Sequence, residues 1–337
     1  MKQAYLYCDP KSLNDATNYY VALMTKPLIS KGNQVKIVHN LSEIKSPNVI
    51  ITITEKYFFF AKLRFPFTKT IYWAQGIGAE EAKMGMKTPK QYLRYLFRRI
   101  IEPLAVNLSD LLFCVSERMV VFFKEKFHLK DNGQIIVMPC YNLPLSDYFY
   151  LNQYNTPTFV YAGGASIWQG VDLMLDVYKA VEKELPNSKL ILLTKDESVF
   201  IEKIKEREIQ NYEIKYVAVS ELQKELHKYK YGFILRDNNI VNQVATPTKM
   251  NSYLSNYVIP IFSDTVDDFN KNINLGEFTL KATFPLNPQK IAAQILKFEK
   301  NRHNYNALKH YTDKVFLSHY NDNVYLTEIE QKIINLV

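Results

Sequence analysis

The feature that most constrains this chain is a set of short, wholly apolar runs that recur at helix-length intervals. Val49–Thr54, Leu111–Val115, Leu190–Thr194, Phe233–Leu235 and Val258–Phe262 carry almost no polar residue in alternation. Strands with one solvated face alternate, whereas strands covered on both faces do not. Helical segments fall between most of these runs, and strand–helix–strand connections build a parallel sheet. Ala4–Cys8, Gln34–His39, Thr70–Trp73 and Ile135–Met138 read as the other strands of a first half, with a helix over Asp15–Lys31 closed by Gly32. The stretch after Pro139, PCYNLPLSDYFYLNQYNTP, is rich in prolines and asparagines and reads as a linker. The pattern then restarts. Strands are expected at Thr158–Tyr161 and Ile214–Ala218, with helices at Val171–Glu184, Val199–Arg207 and Glu221–Tyr229.

The fold class is therefore α/β, with two Rossmann-like units whose parallel sheets face a cleft between them. The expected division is 1–145, 146–312 and a C-terminal helix at 313–337 that packs back on the first unit. A length of 337 residues suits two cores of this kind. No apolar run reaches the roughly 18 residues of a membrane span, and the N-terminus lacks a signal-peptide core. The chain is accordingly expected in the cytoplasm. Cys8, Cys114 and Cys140 lie in or beside apolar runs and read as reduced structural residues. No metal site is expected: His303 and His310 show no ligand spacing and read as surface histidines.

Chemistry concentrates at strand ends in the second half. Arg236 leaves one apolar run, and Thr246-Pro247-Thr248-Lys249 then opens a helix, with the proline tolerated in its first turn. A helix start flanked by these cations and hydroxyls suits a phosphate. The loop after the first strand of this half contains Gly163, Gly164, Ser166 and Gln169, and adjacent glycines admit close approach of a ligand to backbone. In the first half, Asp9 and Lys11 follow the first strand. Gln75 and Gly76 follow the strand at Thr70–Trp73, with Glu80 and Glu81 beyond. A glutamate there could orient or deprotonate an acceptor hydroxyl, although solvated loop carboxylates look the same. Asp-Pro is also an ordinary turn former.

From Lys56 to Leu104 there are ten basic residues against three acidic ones, which accounts for most of the net charge of +8. Lys87, Lys90, Arg94 and Arg98 recur at helical spacing beside an apolar stripe of Leu93, Leu96, Phe97, Ile100 and Leu104. Beside the aromatic run Tyr57–Phe60, residues 87–104 suit an anionic membrane surface. The alternative is a core helix with a solvated basic face. No nucleic-acid-binding motif accompanies the charge, so nucleic acid is not an expected partner.

YAGGASIWQGVDLMLDVYKAV, KLILLT and LRDNNIVNQVATPTKMNSYLSNYVIPIFSD resemble the donor-binding domain of a GT-B glycosyltransferase. The closest likeness is to family-4-type enzymes of bacterial capsule, exopolysaccharide and O-antigen assembly. SDLLFCVSERMVVFFKEKF with IIVMPCYN, and YWAQGIGAEEAKM, are similar to segments of that family's acceptor domain. The resemblance implies metal-independent, retaining transfer of a sugar from a nucleoside-diphosphate sugar, UDP-linked rather than GDP-linked, without a cofactor. The implied acceptor is a lipid-linked or other oligosaccharide at the inner face of the cell membrane. It assigns Arg236 and Lys249 to the diphosphate, with Glu80 and Glu81 as catalytic candidates. Gly163, Gly164, Ser166, Gln169, Thr194, Thr246, Pro247, Thr248, Asn251 and Ser252 fall on the donor side, and Asp9, Gln75 and Gly76 on the acceptor side. Two departures stand out. The family's two glutamates correspond here to Val244 and Ser252, and an Arg and a Lys after its glycine loop correspond to Gly164 and Gln169. A non-catalytic nucleotide- or sugar-binding subunit is one alternative, and a nucleotide-sugar epimerase another.

Overall fold

A computed structural model describes residues 2–130, 133–334 and 336. The chain divides into two compact units. One comprises the residues up to Asn142, Val244–Thr246 and the residues from His319 onward; the other comprises Leu143–Gln243 and Pro247–Ser318.

The first unit runs β1 (Lys2–Tyr7), α1 (Asp15–Ser30), β2 (Asn33–Val38), β3 (Val49–Thr52), α2 (Glu55–Arg64), β4 (Lys69–Ala74), α3 (Gly78–Met84), α4 (Pro89–Leu108), β5 (Leu111–Cys114), α5 (Glu117–Phe127) and β6 (Ile135–Val137). Its strands are all parallel, in the order β2-β1-β3-β4-β5-β6. β3, apolar but for Thr52, and the wholly apolar β5 are fully buried, as strands covered by helices on both faces must be. The two faces have distinct cores. On one, Trp73 of β4 stacks flat on Tyr20 of α1 at 3.9 Å. On the other, Tyr72 meets Phe58 of α2.

The second unit runs β7 (Thr158–Ala162), α6 (Val171–Glu184), β8 (Lys189–Leu193), α7 (Glu197–Glu206), β9 (Tyr212–Lys215), α8 (Val219–Leu226), β10 (Tyr231–Ile234), α9 (Ile240–Val244), α10 (Lys249–Leu254), β11 (Ile259–Ser263), α11 (Asp267–Asn272), β12 (Leu280–Ala282), α12 (Pro288–Lys300) and α13 (Tyr305–Ser318). Its sheet is also parallel, in the order β12-β11-β10-β7-β8-β9. The final helix, α14 (Asp322–Ile334), packs on α1 of the first unit, where the Asp322 carboxylate accepts from the Tyr19 and Tyr141 hydroxyls at 2.9 and 3.0 Å.

Most strands match the apolar runs within a residue or two. The strand expected at Ile214–Ala218 starts earlier, at Tyr212, and β12 has no counterpart in the sequence reading because three residues carry little pattern. His303 is not a surface residue. Its ring stacks on Phe298 at 3.8 Å and contacts Glu277 at 3.1 Å. Pattern reading failed there because Glu277 comes from a distant segment and the Phe298 ring meets His303 only where the chain turns past the end of α12.

Candidate active site

Each sheet reverses its strand order once, and ligands of open α/β sheets bind at that reversal, beyond the strands' carboxyl ends. In the second unit the reversal falls between β7 and β10. The loop after β7 carries Gly163 and Gly164, and Arg236 follows β10.

Arg236 is held at both ends. Its backbone N–H donates to Ser263 Oγ at 2.9 Å, and its carbonyl accepts from the Ser263 and Thr265 hydroxyls. Its guanidinium, 5% exposed, donates to Trp168 O at 2.9 Å and Asn242 Oδ1 at 3.3 Å. Lys249 is placed by α10. Tyr253 of that helix accepts from Ala162 N at 3.1 Å, while its ring fills the space beside Gly232. The half-buried Lys249 ammonium then lies over the Tyr161 ring at 4.5 Å, donating to Gln169 Oε1 at 2.5 Å and Tyr161 Oη at 3.3 Å.

Two glycines make this arrangement possible. A Cβ at Gly163 would sit 2.7 Å from Lys249 Cε and 2.8 Å from its Nζ. Gly170 has φ +62°, and a Cβ there would collide with the Leu235 carbonyl. The loop is also tied to the end of β8, where Asp196 Oδ2 accepts from Ala165 N at 2.8 Å and Thr194 Oγ1 accepts from Asp196 N at 3.0 Å.

Every hydrogen-bond partner of the two cations named above is neutral. Burial brings the Arg236 guanidinium down to about 10, with Tyr161 opposing the shift. Burial first, and Arg236 second, hold the Lys249 ammonium well below the usual lysine range. Burial likewise raises the Tyr161 phenol. An anion entering here would find positive charge that the protein itself leaves uncompensated.

The other expected donor-side residues have local partners of their own. α10 has only six residues and begins on an αR Thr248 with no side-chain cap, so the positive charge comes from side chains and not from a long helix. Thr246 belongs to the first unit's packing, where its hydroxyl accepts from Cys140 N at 3.0 Å. Asn251 holds the Leu143 amide and carbonyl at 2.9 and 3.0 Å. The Ser252 hydroxyl donates to Thr248 O at 3.2 Å. Ser166 and Pro247 lie at the surface or partly covered. Tyr161, Trp168, Asn242 and Asp196 went unrecognised in the sequence. An aromatic two residues before the glycine pair, Tyr161, was the one local signal.

In the first unit the strand order reverses between β1 and β3. Asp9, after β1, caps a short turn through Lys11 N at 2.9 Å. Gln75 is exposed after β4, with Gly76 partly covered. Glu80 is not a free carboxylate: it forms an ion pair with Lys126 of α5. Glu81 packs against Gly76, and burial raises its carboxyl above the ordinary range. Beneath it lies a group that sequence reading did not anticipate. Arg98 of α4 meets Glu55 at 3.1 Å and donates to Gly78 O at 2.9 Å, and Glu102 Oε2 accepts from Ala79 N at 3.2 Å. Glu102, 1% exposed, is pushed up to about 8 by burial and by Glu55. Arg98 therefore does not belong to a surface stripe. In the aromatic run, Tyr57, Phe58 and Phe60 are turned inward onto Tyr7, Tyr72 and the core beside β1 and β3, while Phe59 lies against the exposed Phe97. Among the described residues, no three His, Cys, Asp or Glu side chains gather to hold a metal ion.

The sequence matches no family profile and no curated protein. Solved structures do match. WaaG, a glycosyltransferase involved in lipopolysaccharide biosynthesis, aligns over 98% of this chain and 99% of its own at TM-score 0.66 and 10% identity. Sucrose-phosphate synthase from Thermosynechococcus elongatus aligns over 99% of both chains at TM-score 0.70 and 13% identity. The pneumococcal O-GlcNAc transferase GtfA, solved with UDP and GlcNAc, aligns over 86% of this chain and 56% of its own at TM-score 0.60 and 12% identity. With two parallel six-stranded sheets and full-length likeness to these enzymes, the chain has the GT-B fold of glycosyltransferases.

Proposed function

We propose that this protein is a metal-independent, retaining glycosyltransferase that moves a sugar from a nucleoside-diphosphate sugar to a saccharide acceptor. The observation that carries the reading is the pair Arg236 and Lys249, held together at the β7/β10 reversal with neutral partners only. As the bond to the sugar breaks, charge accumulates on the departing diphosphate. Fixed cations facing that charge stabilise the transition state more than the ground state. The Gly163–Gly164 turn lets phosphate and sugar approach the backbone. UDP as the nucleotide is supported by its presence in the structure of GtfA. Gln75, Gly76 and Asp9 stand at the first unit's strand ends as acceptor-side contacts, and Glu81, unlike Glu80, has no lysine partner among the described residues.

The acceptor is proposed to be lipid-linked, in the assembly of a surface polysaccharide, with the protein lying on an anionic membrane at its cytoplasmic face. The support is the outer face of α4. Leu93 and Ile100 are 66% and 65% exposed, alongside exposed Phe97, Leu104 and Leu108; Lys90, Arg94 and Arg99 are exposed on the same helix, and Lys87 just before its start. The helix buries Ile101, Glu102, Ala105 and Val106 instead. Asp110, just past α4, binds Lys62 and Lys69. That brings the Phe65–Pro66–Phe67 turn, with Phe67 98% exposed, beside the helix's end. No helix among the described residues is long and apolar enough to cross a membrane.

A second reading, a nucleotide- or sugar-binding subunit without catalysis, is favoured by Val244 and Ser252 at the places of the family's glutamates. Hydrolysis of UDP- and GDP-sugars, measured beside thermal shift with the same ligands, separates the two. Shift with turnover supports the transferase, and shift without turnover supports the subunit. No shift with any of them removes the donor site.

A further inference from the structure

Lys249 and Arg236 differ in one property that their common charge conceals. The Arg236 guanidinium, even at about 10, keeps its proton through the neutral range, whereas a lysine surrenders its own when burial and a like charge oppose it. Both conditions are met in the geometry. The ammonium lies on the Tyr161 ring in the space left by Gly163, and its polar partners are an amide oxygen and a phenol. The charged and titratable groups facing it are Tyr161 from β7, Arg236 after β10, and Asp196 from the β8–α7 loop. Asp196 is exposed and engaged by Ala165 N. The direction of the lysine's own titration agrees.

We propose that the donor's diphosphate binds together with a proton, taken up at Nζ of Lys249, so that Arg236 is the permanent cation of the site and Lys249 the conditional one. The inference rests on the donor-site reading above and specifies how that site regulates its charge. The proton comes from solvent, the Nζ lone pair forms the new N–H bond, and no other bond changes. With the diphosphate present, two cations face two or more negative charges, and the repulsion that favoured the neutral amine is offset. Donor affinity therefore falls as pH rises above the free site's lysine value, by up to about tenfold per pH unit. Below that value it is flat, apart from titration of the nucleotide itself.

Isothermal titration of the full chain with UDP, and separately with GDP, tests this at about pH 8. There a terminal phosphate, whose last proton leaves near pH 6, contributes little. Measured in HEPES and in Tris, whose ionisation heats differ, the binding heat should depend on buffer with a slope of about 0.5–1 proton taken up. Lys249→Arg, charged throughout, should bind with no buffer dependence. Lys249→Met fills the same space without a titrating group and should bind at least ~10-fold more weakly, also without buffer dependence. Buffer-independent heat in the wild type, or an unchanged slope in Lys249→Arg, overturns the proposal while leaving the donor site standing. Absence of binding by both nucleotides overturns the donor site and the proposal together.

Discussion

At the scale of single residues, the site depends on two cations whose hydrogen-bond partners among the described residues are neutral. Removing either leaves one cation to meet the departing diphosphate, so Arg236→Ala and Lys249→Ala should each lower turnover by about 100-fold or more, a loss of the size seen when one transition-state donor is deleted. Unchanged melting temperatures would show that the fold survives, and near-normal turnover in both variants would remove their role. Glu102 offers a different test. Its folded value of about 8 lies above the ordinary carboxyl value of 4.5. The folded state therefore keeps a proton that the unfolded state has lost. That contribution to stability is full below the ordinary value and is lost as pH rises toward and past 8. Its carboxyl is faced by Glu55 of α2, Glu81 of α3, Tyr72 of β4 and Arg98 of its own helix. Glu102→Gln should leave melting near pH 5 unchanged and raise stability above pH 8 by roughly 1–3 kcal/mol. A pH profile parallel to the wild type would contradict this placement of the proton. Arg236 and Lys249 were legible from the chain because each belongs to a local pattern, a strand end and a Pro-Thr-Lys helix start. Glu55, Arg98 and Glu102 were not, since they converge only once α2 and α4 pack on the same face of the sheet.

At the scale of elements, α4 shows what periodicity can and cannot tell. The spacing of Leu93, Phe97, Ile100 and Leu104 correctly implies a helix with an apolar stripe, but a stripe does not say whether it faces core or solvent. In the fold it faces outward, and the buried side is formed by Ile101, Glu102, Ala105 and Val106. Arg98, counted by spacing with the basic face, instead anchors the helix to Glu55 and to the Gly78 carbonyl at the start of α3. The surface charges are Lys87, Lys90, Arg94 and Arg99. Each basic group near an anionic bilayer contributes about 1 kcal/mol, so reversing Lys87, Lys90 and Arg94 to Glu should weaken binding to phosphatidylserine vesicles by ~100-fold or more. Phe67→Ser should weaken it further by removing an exposed ring. Unchanged sedimentation with the vesicles in both variants would discard α4 as the contact. The short α10 carries the converse lesson. Its sequence marks a helix start well, yet six residues provide little dipole, and the site's positive field comes from the Arg236 and Lys249 side chains.

At the scale of the whole molecule, the two sheets differ in a way that no local pattern discloses. The first has the order 2-1-3-4-5-6 of flavodoxin-like units, and the second has the 3-2-1-4-5-6 order of dinucleotide-binding units. Apolar runs and helix lengths announce parallel strands, but strand order follows from which helices cover which face, and that information is spread across each unit. The order is what places the glycine loop beside Arg236, although more than sixty residues separate them, as the Arg236–Trp168 hydrogen bond shows. The most direct test of this donor site is a crystal structure of the protein soaked with UDP. The two phosphates should lie within hydrogen-bonding reach of Arg236 and Lys249, close against the Gly163–Gly164 backbone. Well-ordered UDP bound elsewhere, with those two side chains still turned to Trp168, Asn242, Gln169 and Tyr161 alone, would contradict it.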